Sequence, residues 1–231
     1  MDIVVLCPTR GNPGALKEAF DSFTATAMER GSRFVAVVDE TDPRMSEYFA
    51  LSEDLEVVVV PAESCGNMNR ALNWAASLWA INEAEVIIGF VGDDHRFRTN
   101  GWDRVISQVL GSARGGFAYG NDLYMGDYLP TQVFITSRII AALGWMGLPG
   151  AKHLYLDNTW KTLGDFAGCL YYLPDIHIEH MHPAAGKGEW DEAHKRVNTN
   201  EMYAHDQAIY NSWVRDQSET DAATVRGVIE A

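Results

Sequence analysis

Through the first half of the chain, runs of consecutive apolar residues alternate with stretches whose apolar positions recur every three or four residues. The runs are Ile3-Val4-Val5-Leu6, residues 34–38, residues 57–60 and residues 86–91, closed by Pro8, Asp39, Pro61 and Gly92. Between them, Leu16, Phe20, Phe23 and Ala27 fall on one helical face, as do Met68, Leu72, Ala75, Ala76 and Trp79. Asn12-Pro13 predicts the start of the first helix, with Asn as its cap and Pro in the first turn, where no N–H is needed; Gly31 predicts its end. A strand that is apolar at every position has no face for water. Such strands, separated by helices, predict an α/β fold with a mainly parallel sheet covered on both sides.

The pattern is less regular afterwards. Residues 132–136 predict a strand, 137–143 a helix, and the Gly- and Pro-rich 144–150 a loop. Residues 157–163 read as a short helix with Asp157 at its start, and 170–173 and 176–181 as two strands. Residues 183–199 read as a mobile loop, and 201–214 as a helix carrying Met202, Ile209 and Trp213. The last fifteen residues are polar and read as a loose end.

Composition narrows the class. The 231 residues are 47% hydrophobic and 22% charged, which suits one packed α/β domain and excludes a disordered chain. The net charge of −14 repels polyphosphate and disfavours a duplex-DNA or RNA gripper, while leaving room for a small phosphate ligand in a local pocket. Three scattered cysteines without a CxxC predict reduced thiols rather than disulfides or a cysteine zinc site. No apolar run reaches the roughly 18–20 residues that span a bilayer, and no basic leader precedes Ile3; the expectation is a cytoplasmic protein.

In parallel sheets ligands bind beyond the C-terminal strand ends. The polar residues there are Thr9-Arg10, Asp39 and Asp93-Asp94, expected in one crevice. Gly92-Asp93-Asp94-His95 is the sharpest feature: two adjacent carboxylates after a buried strand repel each other unless a divalent cation joins them, and oxygen ligands with substrate phosphates suit Mg²⁺ or Mn²⁺. A solvated Asp-Asp turn is the plain alternative. On a strand over residues 176–182, His180 and His182 share a face, which suits a metal or simply a polar strand end. Asp157 has the ordinary reading of a helix cap. Asn67, Asn69 and Arg70 open the second helix, whose free N–H groups suit an anion. Residues 95–98 (His-Arg-Phe-Arg) read as a charged turn flanking a helix. GxGxxG, Walker A, GxSxG and HExxH are all absent.

In their order, these parts resemble the GT-A glycosyltransferases, family-2-like. Leu6-Cys7-Pro8-Thr9-Arg10-Gly11-Asn12-Pro13 is similar to the family's first strand end, and Val37-Val38-Asp39 to its second. GNMNRALNWAA over residues 66–76 resembles its Gly-Arg-Asn helix with Arg and Asn displaced, and Gly92-Asp93-Asp94 its DxD motif with Gly for the first Asp. Leu156-Asp157-Asn158 resembles the late acidic motif, and Glu179-His180-Met181-His182-Pro183 the late metal-side His. The second half looks most like small phage-encoded glycosyltransferases.

The resemblance implies a GT-A, Rossmann-like, mixed and mainly parallel sheet flanked by helices. It forms a single domain over residues 1–183, with a nucleotide-binding half at 1–95 and an acceptor half at 96–183; residues 184–231 add a loop and a C-terminal helix. It implies metal-dependent transfer of a sugar from a UDP- or GDP-sugar to an acceptor hydroxyl, with inversion. Pro8, Thr9, Arg10, Asp39, Asn67, Asn69, Arg70 and Asp93 would bind the donor, Asp39 at the base. Asp94 with His180 or His182 would hold Mn²⁺ or Mg²⁺. Asp157 would be the catalytic base, with Asp165 and Glu179 the next candidates. The loop carrying Lys187 and Trp190 would close over the substrates. Acceptors in keeping with a phage enzyme are a virion protein, a modified DNA base or a glycan. A nucleotidyltransferase, or a non-catalytic nucleotide-sugar-binding protein, is the alternative.

Overall fold

In the computed structural model, which describes residues 1–81, 84–188, 190 and 192–231, the first half runs β1 (Ile3–Thr9), α1 (Pro13–Thr26), β2 (Ser32–Asp39), a short α2 (Met45–Phe49), β3 (Glu56–Val60), α3 (Met68–Ala80) and β4 (Ile87–Phe90). The helix starts follow local chemistry. The Asn12 side chain accepts from the Ala15 N–H at 3.4 Å, and Asn67 from the Arg70 N–H at 3.0 Å, each occupying an otherwise orphaned donor. β1 runs on through Pro8 to Thr9, where the sequence pattern ends it earlier. The Leu6 carbonyl accepts from Val91 on the β4 side, so Pro8, two residues on, faces that same side. β4 has ended there, and the missing proline N–H has no partner to lose.

The second half runs β5 (His95–Phe97), α4 (Trp102–Ser112), β6 (Phe117–Asn121), β7 (Val133–Thr136), α5 (Ser137–Leu143), α6 (Leu156–Ala167), β8 (Leu170–His180), α7 (Glu192–Val197), α8 (Asn200–Asp216) and α9 (Ser218–Glu230). Several expectations change. Residues 95–97 are a buried strand rather than a turn: β5 pairs with β8, and the Arg96 guanidinium meets Glu18 at 2.5 Å. The two strands expected at 170–181 are one. β6 pairs with it up to Gly120↔Leu173 and resumes at Asn121↔His177, so Pro174 sits in a bulge, where a strand tolerates it. The expected loop at 183–199 holds a 3₁₀ turn (Pro183–Ala185) and α7; its residues 189 and 191 lie outside those described. The expected loose end is α9, with Ala222 and Val225 fully buried against α5 and α6.

Among the described residues eight strands form one sheet in the order β3-β2-β1-β4-β7-β6-β8-β5. The pairs β3-β2, β2-β1, β1-β4 and β6-β8 are parallel, and β4-β7, β7-β6 and β8-β5 antiparallel, so the sheet is mixed and mainly parallel. One face packs α1 and α4 through Phe20, Phe23, Phe34 and Trp102. The other packs α3, α5, α6 and α9 through Leu72, Ile139, Trp160 and Val225. Among the described residues no helix is long and apolar enough to cross a membrane.

Candidate active site

β1, β2 and β4 are parallel and run toward one edge, where a cleft of about 640 Å³ opens. Its floor is tied together by the polar residues at those strand ends. The Thr9 hydroxyl donates to Asp93 Oδ2 at 2.6 Å, joining the ends of β1 and β4. The Arg10 guanidinium meets Asp39 Oδ2 at 2.5 Å, and the same oxygen accepts from the Gly66 N–H at 2.9 Å. Asp39 therefore joins β1, β2 and the start of α3, while no hydrogen bond to its Oδ1 occurs among the described residues. Gly11, with φ +73°, supplies the left-handed turn that carries the chain from this corner into α1.

β4 and β8 bring the second group together. Asp94 Oδ2 lies 3.0 Å from His180 Nε2, and Asp94 Oδ1 3.3 Å from His95 Nδ1. His95 and His180 are directly paired across β5 and β8, and their rings stack at 4.3 Å and 15°. One ligand atom each from Asp94, His95 and His180 lie within 4.8 Å of one another, which fits a divalent cation. Among the described residues the buried His95 Nε2 and His180 Nδ1 have no hydrogen-bond partner, a cost that a purely structural cluster would carry for nothing. Burial, with the neighbouring His180 ring, lowers the His95 pKa, so His95 is a neutral imidazole. His182 lies outside this trio. It lines the cleft, its ring 5.1 Å from that of His180, but its Nδ1 accepts from Ala184 and caps the 3₁₀ turn.

Asp157 reaches the same cleft from the first turn of α6. It is not the cap residue. That place is held by Tyr155 in the left-handed region at φ 63°, a strained conformation for a side chain of its size, with no side-chain capping bond. Asp157 Oδ1 accepts from the N–H of Asn158 at 2.9 Å. Burial raises its carboxyl pKa, against the pull of first-turn N–H groups and of His180, which is the direction a general base needs.

The loop entering α6 is held by a residue that the apolar pattern alone does not mark as functional. Asp206 of α8, fully buried, accepts from the successive N–H groups of Lys152, His153 and Leu154 at 3.0, 2.8 and 2.7 Å. These three residues line the cleft, as do Tyr155, Arg196 and Met202. One signal for Asp206 exists in the sequence. It falls on the apolar stripe Met202, Ile209, Trp213, where only a carboxylate with fixed partners is tolerated.

The other sequence-derived candidates divide. Pro8, Thr9, Arg10, Asp39, Asn67, Asp93, Asp94, Asp157, His180 and His182 all line the cleft. Asn69 and Arg70 do not. Asn69 is buried, its amide donating to the carbonyls of Leu148 and Ala151 at 2.5 and 3.1 Å, so it fastens α3 to the 147–152 loop. The exposed Arg70 donates to the carbonyls of Glu63 and Cys65. Glu179 is clasped between Lys187 and Arg98, each 2.9 Å away, and Lys187 pulls its pKa down, the wrong direction for a base. Asp165 pairs with Lys161 farther along α6. Trp190 sits beside His182, ring to ring at 5.8 Å.

No protein-family model and no curated protein sequence matches the chain. Solved structures do. A mannosyltransferase from Pyrobaculum calidifontis, in complex with GDP-Man and Mn²⁺, aligns with a TM-score of 0.59 at 14% identity over 96% of this chain and 78% of its own. Staphylococcus aureus TarS (1–349) aligns with a TM-score of 0.57 at 15% identity over 94% and 74%. Glucosyl-3-phosphoglycerate synthase from Mycobacterium tuberculosis, in complex with Mn²⁺, UDP and phosphoglyceric acid, aligns with a TM-score of 0.60 at 12% identity over 91% and 78%. The likeness runs through nearly the whole chain, and by it the chain has the GT-A glycosyltransferase fold.

Proposed function

We propose that this protein transfers a sugar from a UDP- or GDP-sugar to an acceptor hydroxyl, with a divalent cation and with inversion. The observation that carries the reading is the convergence of Asp39, Asp93, Asp94, His180 and Asp157, from separate elements, on one cleft at the parallel strand ends. The bound ligands of the structural neighbours support the donor and metal classes.

Asp94 and His180 would hold the cation, with His95 beside them; the mixed carboxylate–imidazole set favours Mn²⁺ over Mg²⁺, which prefers oxygen alone. When bound, the ion neutralises charge on the departing diphosphate. Asp39 Oδ1 accepts a ring N–H of the base, which uracil and guanine offer and adenine lacks. Asp93, fixed by Thr9, faces the donor ribose or sugar. Asp157 takes the acceptor proton from the side opposite the leaving group, so displacement is in line. The acceptor we infer is a hydroxyl on a protein, a glycan or a modified base in single-stranded form, since the charge of −14 opposes duplex DNA. Three free cysteines fit a reducing, cytoplasmic setting, that of the host for a phage-encoded chain.

Two outcomes are expected. In a thermal-shift series with Mn²⁺, a nucleoside diphosphate at about one hundred times its dissociation constant should stabilise the wild type by about 2.7 kcal/mol, roughly 5–11 °C for a chain of this size. Asp94→Ala should lose that gain and keep the melting point of the ligand-free protein; equal affinity in EDTA and Mn²⁺ would remove the metal from the proposal. In calorimetric titrations UDP and GDP should bind more tightly than ADP, with TDP not excluded by Asp39 alone. Tightest binding of ADP contradicts the role of Asp39. Tight nucleotide binding without any sugar transfer would point to a binding protein instead.

A further inference from the structure

Behind the cleft, on the far edge of the His180 ring, lies a carboxylate that the reaction above does not use. Asp122 follows β6 and is 1% exposed. Its Oδ1 accepts from the N–H groups of Tyr124, Met125 and Gly126 at 2.9, 2.7 and 3.0 Å, and its Oδ2 from the Thr131 hydroxyl at 2.8 Å. Its backbone carbonyl accepts from the His180 N–H at 3.0 Å, which locks it to the end of β8. Burial works to raise its pKa, but the hydrogen bonds from Gly126, Tyr124, Thr131 and Met125 outweigh that and leave it lowered. This is a fixed, ionised carboxylate with no cation paired to it among the described residues. Its Oδ2 is 3.9 Å from His180 Nδ1, the buried ring nitrogen that has no hydrogen-bond partner among the described residues.

We propose that Asp122 is a positioning residue for metal binding, the outer carboxylate that receives the Nδ1 hydrogen of His180 when His180 Nε2 ligates the cation. The proposal rests on the metal reading above and adds a residue to it. The geometry argues for it in three ways. First, Asp94 cannot donate, so the 3.0 Å contact with Nε2 requires the ring hydrogen on Nε2 while no cation is bound. In that tautomer a bare Nδ1 lone pair faces Asp122, whose Oδ2 is 3.9 Å away. Second, a cation on Nε2 displaces that hydrogen, and the neutral ring can carry it only on Nδ1, where a buried carboxylate is waiting. Third, stacking on His95 holds the plane of the ring, with Nε2 3.0 Å from Asp94 Oδ2 and Nδ1 3.9 Å from Asp122 Oδ2. Histidine ligands commonly donate their second nitrogen to a carboxylate, which fixes the tautomer and strengthens the ligand.

The experiment is Mn²⁺ binding to the full chain without nucleotide, followed by electron paramagnetic resonance of the free ion. It compares wild type, Asp122→Asn, His180→Gln and the double variant. Asn keeps an acceptor for the turn at 124–126 but presents an NH₂ to the ring. Asp122→Asn should weaken Mn²⁺ binding about 10–100-fold. It should add no further loss in the His180→Gln background, because the effect is transmitted only through the ring. A second measurement needs no variant. With ¹⁵N-labelled histidine at pH 8, adding diamagnetic Zn²⁺ to the wild type should move the protonated signal of His180 from Nε2 to Nδ1. Wild type that binds no Mn²⁺ overturns the metal reading and this inference with it. Wild type that binds, with Asp122→Asn within about threefold of it or an equal loss in both backgrounds, overturns the role of Asp122 alone. A Nδ1 that stays unprotonated with Zn²⁺ bound does the same.

Discussion

Asp157→Asn is expected to lower sugar transfer by about 10²–10⁴-fold while the protein folds and binds its donor as before. The isostere separates two roles that Asp157 has at the start of α6. Its Oδ1 accepts from the Asn158 N–H, and an amide oxygen accepts equally well, so the helix start is preserved. What Asn cannot do is take a proton. Stability gives an internal control with a definite sign. Burial raises the Asp157 pKa in the folded protein, so folding is penalised as pH rises through the interval from the ordinary carboxylate value to the raised one, and the penalty persists above it. Asn removes a partly buried charge, and melting at neutral pH should be unchanged or slightly higher. Donor affinity should hold, because Asp39, Asp93 and Asp94 come from β2 and the end of β4. Transfer, melting and donor titration on one preparation decide the matter: transfer within about threefold of wild type would leave Asp157 a helix-start residue only.

Asp206→Ala is expected to lower stability by about 3–5 kcal/mol, or roughly 6–20 °C in melting temperature. The alanine would leave the N–H groups of Lys152, His153 and Leu154 without their acceptor, and each unmade bond of that kind costs about 1–3 kcal/mol. Burial alone would raise the Asp206 pKa, but the N–H of His153, the His205 ring and the other two N–H groups overcome it, and the value is lowered. A lowered carboxyl pKa contributes stability that is present above the ordinary carboxylate value and is lost as pH falls through the folded one. The gap between wild type and Asp206→Ala should therefore narrow in acid. Asp206→Asn, which keeps one acceptor and loses the charge, should fall between. A melting series from pH 7 down to pH 3 checks all three; an Ala variant that melts with the wild type would mean the loop holds itself.

The carboxylates at the strand ends were legible early for a simple reason. A strand buried on both faces must be apolar throughout, so the first polar residue after it marks where the sheet edge meets water. Thr9, Asp39, Asp93 and Asp94 stand at such places, and β1, β2 and β4 lie where the apolar runs predict them. The helix faces of α1 and α3 follow from spacing alone, and their first residues from the Asn caps. The same logic fails at β5. Three residues containing His and Arg carry no strand signal, and their burial comes from pairing with β8 and from Glu18, far away in sequence. It fails again at α9, whose polar composition hides the few small and branched residues that fit against α5 and α6.

Sequence by itself determined the parallel half-sheet, its edge and the acidic residues on that edge, because those features depend on residues near one another in the chain and on the period of the strand or helix. Only the tertiary structure decided that His95 stands in the trio with Asp94 and His180 while His182 caps a turn, that Asn69 is spent on the Leu148 and Ala151 carbonyls, that Asp206 holds the loop entering α6, and that Asp122 lies against the His180 ring. These assignments turn on which buried donor meets which acceptor across β5–β8 and α8, and a hydrogen bond made between distant segments leaves no period in the sequence.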